Sequence, residues 1–177
     1  MKARGTLVKI TALTESSLIV HWCTPDHGIV KTVARGARRS KSPFAGKLDL
    51  FFRCEIEAAE ARRGDLHTLR ELSVEKPRLG LRRSYVETLA ASYFVKLVTR
   101  VAEPETPLPE IADLLERGLD YLEENEADTR ALFHFEKQLA TILGIREPGT
   151  DPVDSLRDVF GSVPKQRAEL MERIGGR

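Results

Sequence analysis

The spacing of apolar residues changes once, at Pro77, and that change constrains the fold more than any other feature of the chain. Before it, "LDLFFRCEIEA" puts Leu48, Leu50, Phe52, Cys54, Ile56 and Ala58 on one side and Asp49, Phe51, Arg53, Glu55 and Glu57 on the other. That is a half-buried strand with one wet face. After it, "LRRSYVETLAASYFVKLVTRV" sets Leu81, Tyr85, Leu89, Tyr93, Leu97 and Val101 four residues apart, with Val86, Phe94 and Val98 alongside. This is a helix with a broad apolar face. Strands come first and helices second, which predicts an α+β chain.

The earlier segments read the same way. "TLVKITAL" alternates, with Val8, Ile10 and Ala12 on one side of a strand and Lys9 and Thr11 on the other. "SLIVHWC" is rich in β-branched and aromatic residues, and "TPDHG" offers Pro25 to fix φ, Asp26 to bond its own backbone and Gly28 to take a positive φ before the return strand "IVKTVARG". Gly64-Asp65 turns the chain into a last strand near Leu66 to Val74. Five strands in this space, without a long helix, predict a small barrel. A five-stranded oligonucleotide/oligosaccharide-binding (OB) barrel leads, and an SH3-like barrel is the other closed form.

Beyond Pro77, "AEPETPLPE" is a linker and "EIADLLERGLDYLEE" a second helix. "DTRALFHFEKQLATIL" is a third, with Leu132, Phe135, Leu139, Ile142 and Leu143 on one face and Gly144 as its stop. Asp151 caps a fourth helix, with Pro152 in its first position and Gly161 at its end. "VPKQRAELMERIGGR" reads as a final, partly frayed helix. The expected domains are therefore 1–78, the barrel, and 79–177, helical.

Charge divides along the same line. The formal net charge is only +1, yet residues 1–83 hold 17 Lys and Arg against 9 Asp and Glu, while the remainder holds 11 against 18. Segregation of this kind is expected where one part of a protein meets a polyanion and the other does not. The densest basic stretch is "VARGARRSKSPFAGKL", which contains Arg35, Arg38, Arg39, Lys41 and Lys47 and no acid. Gly36 and Gly46 relieve its backbone and Pro43 prevents a ladder from continuing, so it reads as the loop leaving the third strand. Phe51 and Arg53 fall on the polar side of the next strand. An aromatic ring there can stack on a base while guanidinium groups hold phosphates, or it can pack beneath the helices.

Other chemistry is not encoded in any recognisable form. His21, Cys23 and His27 lie close together, but the spacing matches no zinc motif and no fourth ligand follows, so no metal is expected. "GKL" at 46–48 lacks the Ser/Thr and earlier glycine of a phosphate-binding loop. With no G-x-S-x-G, no recognisable Cys-His pair and no distinct carboxylate cluster, a binding protein is expected rather than an enzyme, and no cofactor. Cys23 and Cys54 read as reduced, buried thiols. No apolar run approaches the roughly 18 residues of a membrane span, and the N-terminus lacks a signal-peptide core, so the expected location is cytoplasmic.

One long ungapped stretch carries a resemblance. "ESSLIVHWCTPDHGIVKTVARGARRSKSPFAGKL" is similar to the bacterial DNA repair protein RecO family, in which the segment runs E-S-S-x-I-V, T-P-x-H-G, A-R-G-A-R-R-x-K-S-x-F-x-G-x-L. Weaker likeness continues through "GDLHTLRE", "AASYFVKLV" and "LFHFEKQLATILGI". The resemblance implies an N-terminal OB domain and a C-terminal helical domain. It implies a recombination mediator that binds single- and double-stranded DNA, anneals complementary strands, and works with RecR and the single-strand-binding protein SSB to load the RecA recombinase, in the cytoplasm at the nucleoid. On this reading Arg35, Arg38, Arg39, Lys41, Lys47, Phe51 and Arg53 are the candidate DNA contacts, and the rival is a protein-protein adaptor that does not touch DNA. Some members hold a four-cysteine zinc site in the helical domain; this chain has no cysteine after Cys54, so it cannot form one. Members usually extend further, and residues beyond about 147 do not resemble them.

Overall fold

The computed structural model describes residues 1–104 and 106–175. Glu105 of the expected linker, and Gly176 and Arg177 at the end of the expected last helix, lie outside the described residues. The chain groups into two compact units, Met1–Arg78 with Ala102–Ala112, and Leu79–Val101 with Asp113–Arg177.

In the first unit, β1 (Lys2–Ala12), β2 (Leu18–Thr24), β3 (Gly28–Ala34), β4 (Arg53–Ala59) and β5 (Leu66–Lys76) close a barrel in the order β1-β2-β3-β5-β4. All neighbours are antiparallel except β3 and β5, which pair in parallel with Lys31 opposite Leu66 and Val33 opposite Thr68. This five-stranded closure is that of an OB barrel. Its core gathers Leu7, Val20, Trp22, Val30, Phe52, Cys54, Ile56, Leu69 and Leu72. Trp22 is fully buried, and its indole N–H finds its partner in the Thr32 hydroxyl at 2.9 Å, which removes the cost of an unpaired polar group in an apolar interior.

The structure corrects the sequence-based reading of β1 and of the approach to β4. The register of β1 on β2 shifts between Leu7 and Lys9, so that Leu7 faces Trp22 and Val8 is the extra residue of a bulge. Leu7, not Val8, therefore belongs to the barrel core. Alternation holds in β4, where Cys54, Ile56 and Ala58 are buried, but the strand starts only at Arg53; the preceding segment turns.

The β2–β3 turn is closed by Thr24, whose hydroxyl donates to the Gly28 carbonyl at 2.9 Å and accepts from the His27 N–H at 3.2 Å. Gly28 has a φ of 64°, and a Cβ there would collide with the carbonyl oxygen of Thr106. The crowding arises because the segment 102–112 runs along this end of the barrel. Pro104 bridges Ile29 in parallel, and the Leu108 N–H donates to the Pro25 carbonyl at 2.9 Å. It covers the β3 edge that the late start of β5 leaves open.

The second unit contains a short 3-10 turn, Leu79–Arg82, and five helices: α1 (Tyr85–Val101), α2 (Pro109–Glu124, whose first turn belongs to the barrel unit), α3 (Thr129–Ile142), α4 (Pro152–Phe160) and α5 (Gln166–Gly175). α1 begins four residues later than its spacing suggests. Leu81 is buried from the 3-10 turn, while Tyr85 is 55% exposed and not part of the apolar face. At this start the Ser84 hydroxyl donates to the Glu87 carboxylate, which also accepts from the Ala127 N–H at 3.2 Å. Asp151 caps α4 through the Val153 N–H at 3.0 Å, and Gly161 ends it at a φ of 76°. α4 packs on α3, and α5 packs on α1 and α3. Among the described residues no helix is long and apolar enough to cross a membrane.

Candidate nucleic-acid interface

The basic segment from Arg35 to Leu48 is a succession of turns between β3 and β4, and it is anchored. Phe44 is 6% exposed and inserts into the barrel core, with Ala37, Leu48 and Leu50 packed against the same cluster. The Arg38 N–H donates to the Ser16 carbonyl at 3.0 Å and the Gly36 N–H to the Ser17 hydroxyl at 3.2 Å, tying this loop to the β1–β2 hairpin tip. The apolar side chains hold the loop down, and the cations are left pointing outward.

Arg35, Arg38, Arg39, Lys41 and Lys47 are all exposed, and among the described residues none of them has a carboxylate partner. Solvated cations with no internal partner keep their full charge for an external anion. Beside them lies an open groove of about 490 Å³ lined by Leu13, Thr14, Ser16, Ser17, Val33, Arg35, Gly36 and Arg39. The stem of Arg39 lies across Gly36, close enough that a Cβ there would meet it at 3.4 Å.

Two of the seven candidate residues do not join this surface. Phe51 is 3% exposed and sits at a φ of 72°. Its N–H donates to the Leu7 carbonyl at 2.9 Å, and its carbonyl accepts from Arg78 Nη1 at 2.8 Å. It is a buried, left-handed corner that offers no ring face to a base. Extending the period-2 pattern through a turn had placed it on the wet face. Arg53 is on the wet face, but its Nε lies 3.2 Å from Glu75, which also takes Arg4 at 2.8 Å. A carboxylate on the next strand, β5, has already engaged it.

Sequence reasoning missed Phe44 as the anchor, the hydroxyl-bearing tip 14–17, and Arg78. Arg78 is 1% exposed and at a φ of 45°, and it also reaches the Thr6 hydroxyl at 3.4 Å. "SPF" within an otherwise polar run was the available signal for Phe44. Truncating it to leucine is expected to cost about 1 kcal/mol of stability. The same change should weaken any binding of a polyanionic strand to this loop by about two- to threefold with an unchanged salt slope, because the charges remain while the loop loosens. Chemical denaturation and anisotropy titrations on the one variant check both halves.

On the outer face of the sheet Lys9 stands opposite His21 and His21 opposite Lys31. Burial first, then the charges of Lys9 and Lys31, hold the His21 imidazole below its usual range, against a weaker opposing pull from Asp65. Lys31 itself is paired with Asp65 at 2.5 Å. Cys23 and Cys54 are both buried. Among the described residues no three His, Cys, Asp or Glu side chains gather as a metal site would require.

Comparison with known proteins divides the chain where the five-stranded barrel ends. The family described as "Recombination protein O N terminal" matches residues 1–78, and "Recombination protein O C terminal" matches residues 82–148. The chain is 32% identical over 135 residues to the DNA repair protein RecO of Syntrophus aciditrophicus, covering 76% of this chain and 52% of the relative. It is 34% identical over 132 residues to that of Pelobacter propionicus, covering 75% and 53%. It is 29% identical over 162 residues to that of Myxococcus xanthus, covering 92% and 64%. The chain thus spans about half to two thirds of the length of these curated relatives.

Proposed function

The chain belongs to the RecO family, and on that premise we propose that it is a DNA-binding recombination mediator, in which residues 1–78 bind DNA and residues 79–177 form the partner-binding domain. One observation carries the reading: five exposed cations without a carboxylate partner among the described residues, on an acid-free loop pinned to an OB barrel by Phe44. Contact of Arg35, Arg38, Arg39, Lys41 and Lys47 with phosphates displaces condensed counterions. This gives affinity that ignores sequence and falls as salt rises. The same neutralisation lowers the repulsion between two complementary strands and so favours annealing, which requires positioning and charge rather than a reacting side chain. Loading of RecA, in concert with RecR and SSB in the cytoplasm, is the role this activity would serve.

The helical unit supports the SSB part of the proposal through a site of its own. Phe94 of α1 and Phe135 of α3 stack with centroids 3.8 Å apart and planes 4° from parallel. Gly118 of α2 leaves them room, since a Cβ there would lie 2.9 Å from the Phe135 ring. Beside the stack opens a cavity of about 500 Å³ whose lining includes Leu114, Tyr121, Arg117, Arg130 and His134. Its apolar walls suit the apolar residues of a peptide tail and Arg130 offers it a cation, at a rim that also holds Asp128 and where Arg117 is already paired with Asp113 at 2.8 Å.

The test is fluorescence anisotropy with labelled single strands and duplexes of several sequences, at two or more salt concentrations. We expect saturable binding to both forms, indifferent to sequence, with log K falling linearly in log salt. A protein that gives no saturable, salt-sensitive signal is an adaptor, and the DNA-binding reading is then wrong.

A further inference from the structure

We propose that the groove between the β1–β2 hairpin tip and the basic loop seats one unpaired nucleotide of a DNA strand, with Leu13 as the residue that prefers single strands to duplex. This rests on the DNA-binding reading above and adds to it a site and a strand preference. The floor and walls combine two kinds of surface. Arg35 and Arg39 supply cations without carboxylate partners among the described residues. Leu13, 45% exposed, and Val33 supply apolar surface beside them. At about 490 Å³ the groove falls within the roughly 300–1,000 Å³ typical of small-ligand sites.

The hairpin tip is rigid for a loop. The N–H groups of Leu13 and Thr14 both donate to the Ser17 carbonyl, at 3.0 and 3.2 Å, and the Ser17 N–H donates to the Thr14 hydroxyl at 3.1 Å. The Ser17 hydroxyl in turn accepts from Gly36 N–H. Because Thr14 and Ser17 already use an oxygen lone pair on the protein, each hydroxyl proton is left to donate outward, where a phosphate or sugar oxygen accepts it. Leu13 at this tip, 45% exposed, leaves a large part of its side chain open to solvent. A base released from its stack has an apolar face that can cover it, whereas in a duplex the base faces are stacked against one another and out of reach. Charge complementarity selects a nucleic-acid strand as the occupant, and Leu13 selects the unpaired form.

The experiment compares the full chain with Leu13→Ser and Leu13→Phe on three probes of equal length: a single strand, a blunt duplex, and an abasic single strand that keeps phosphates but lacks bases. Leu13→Ser should weaken single-strand binding roughly five- to tenfold, leave its salt slope unchanged, and leave duplex and abasic-strand binding within about twofold of wild type. Leu13→Phe should equal or exceed wild type on the single strand. Equal losses on all three probes, or no loss on any, overturn the proposal while the DNA-binding reading stands. Absence of binding by the wild type overturns both. The exposed position keeps folding out of the comparison, and matching thermal melts of the three proteins verify that.

Discussion

Substituting Arg167 with methionine is expected to lower the unfolding free energy of the helical unit by about 3–5 kcal/mol, seen as a fall of more than about 10 °C in its melting midpoint. Glu136 on α3 is fully buried. Arg167 at the start of α5 grips both of its oxygens, Nε to Oε1 at 2.7 Å and Nη2 to Oε2 at 3.2 Å, while the Tyr93 hydroxyl on α1 donates to Oε1 at 2.6 Å. Burial and the neighbouring carboxylate push the Tyr93 phenol well above its usual range, so it stays protonated as a donor. Removing the guanidinium strands a carboxylate inside the unit with one neutral donor, and the desolvation cost is no longer offset. The cause is testable by pairing substitutions. Glu136→Leu combined with Arg167→Met should recover much of the loss, because no unpaired charge then remains. A double variant as unstable as the single one would mean that packing around Arg167, not its charge, carries the effect. The prediction also bears on the chain's C-terminus. α5 lies beyond the residues matched by the family model, yet Leu170 and Ile174 are buried, Tyr85 donates to Glu169 at 3.0 Å, and Arg173 lies 4.6 Å over the Tyr85 ring. The segment thus packs against the unit through one face.

What could be read from residue order follows from how local the cause is. Caps and stops are local, so Asp151-Pro152 and the glycines at 144 and 161 marked helix ends correctly. A central strand such as β4 writes its burial directly into alternation. A bulge does not, because one inserted residue at Val8 reverses the inward face without altering composition, and Leu7 could be placed only once β2 was beside it. Phe51 failed for a related reason: a single residue at positive φ ends the pleat, and nothing in "LDLFF" announces it. At the candidate site the loop cations were legible because like charges without acids nearby stay in water wherever the loop goes. Phe44, Ser16 and Ser17, which hold that loop in place, act through contacts distant in sequence. The capture of Arg53 by Glu75 depends on the β4–β5 register and was equally invisible.

That contrast between the loop arginines and Arg53 gives the strongest test of the proposed DNA-binding surface. Arg38→Glu with Arg39→Glu should reduce affinity for single strands and duplexes by at least about tenfold at moderate salt. It should also flatten the slope of log K against log salt by about 1.4 on single strands and about 1.8 on duplexes, the loss of two phosphate contacts. Stability should move by no more than about 0.5 kcal/mol, because both side chains are exposed without a carboxylate partner among the described residues. Arg53→Glu should behave in the opposite way. It sets a second carboxylate against Glu75, where among the described residues Arg4 remains to separate them, so the barrel melts earlier, while the salt slope of whatever protein remains folded stays at the wild-type value. Thermal melts read alongside the salt titrations separate the two behaviours. If the double loop variant kept the wild-type slope, the phosphates would have to be met elsewhere on the chain, and a flattened slope in Arg53→Glu would point to the β4–β5 face as the place.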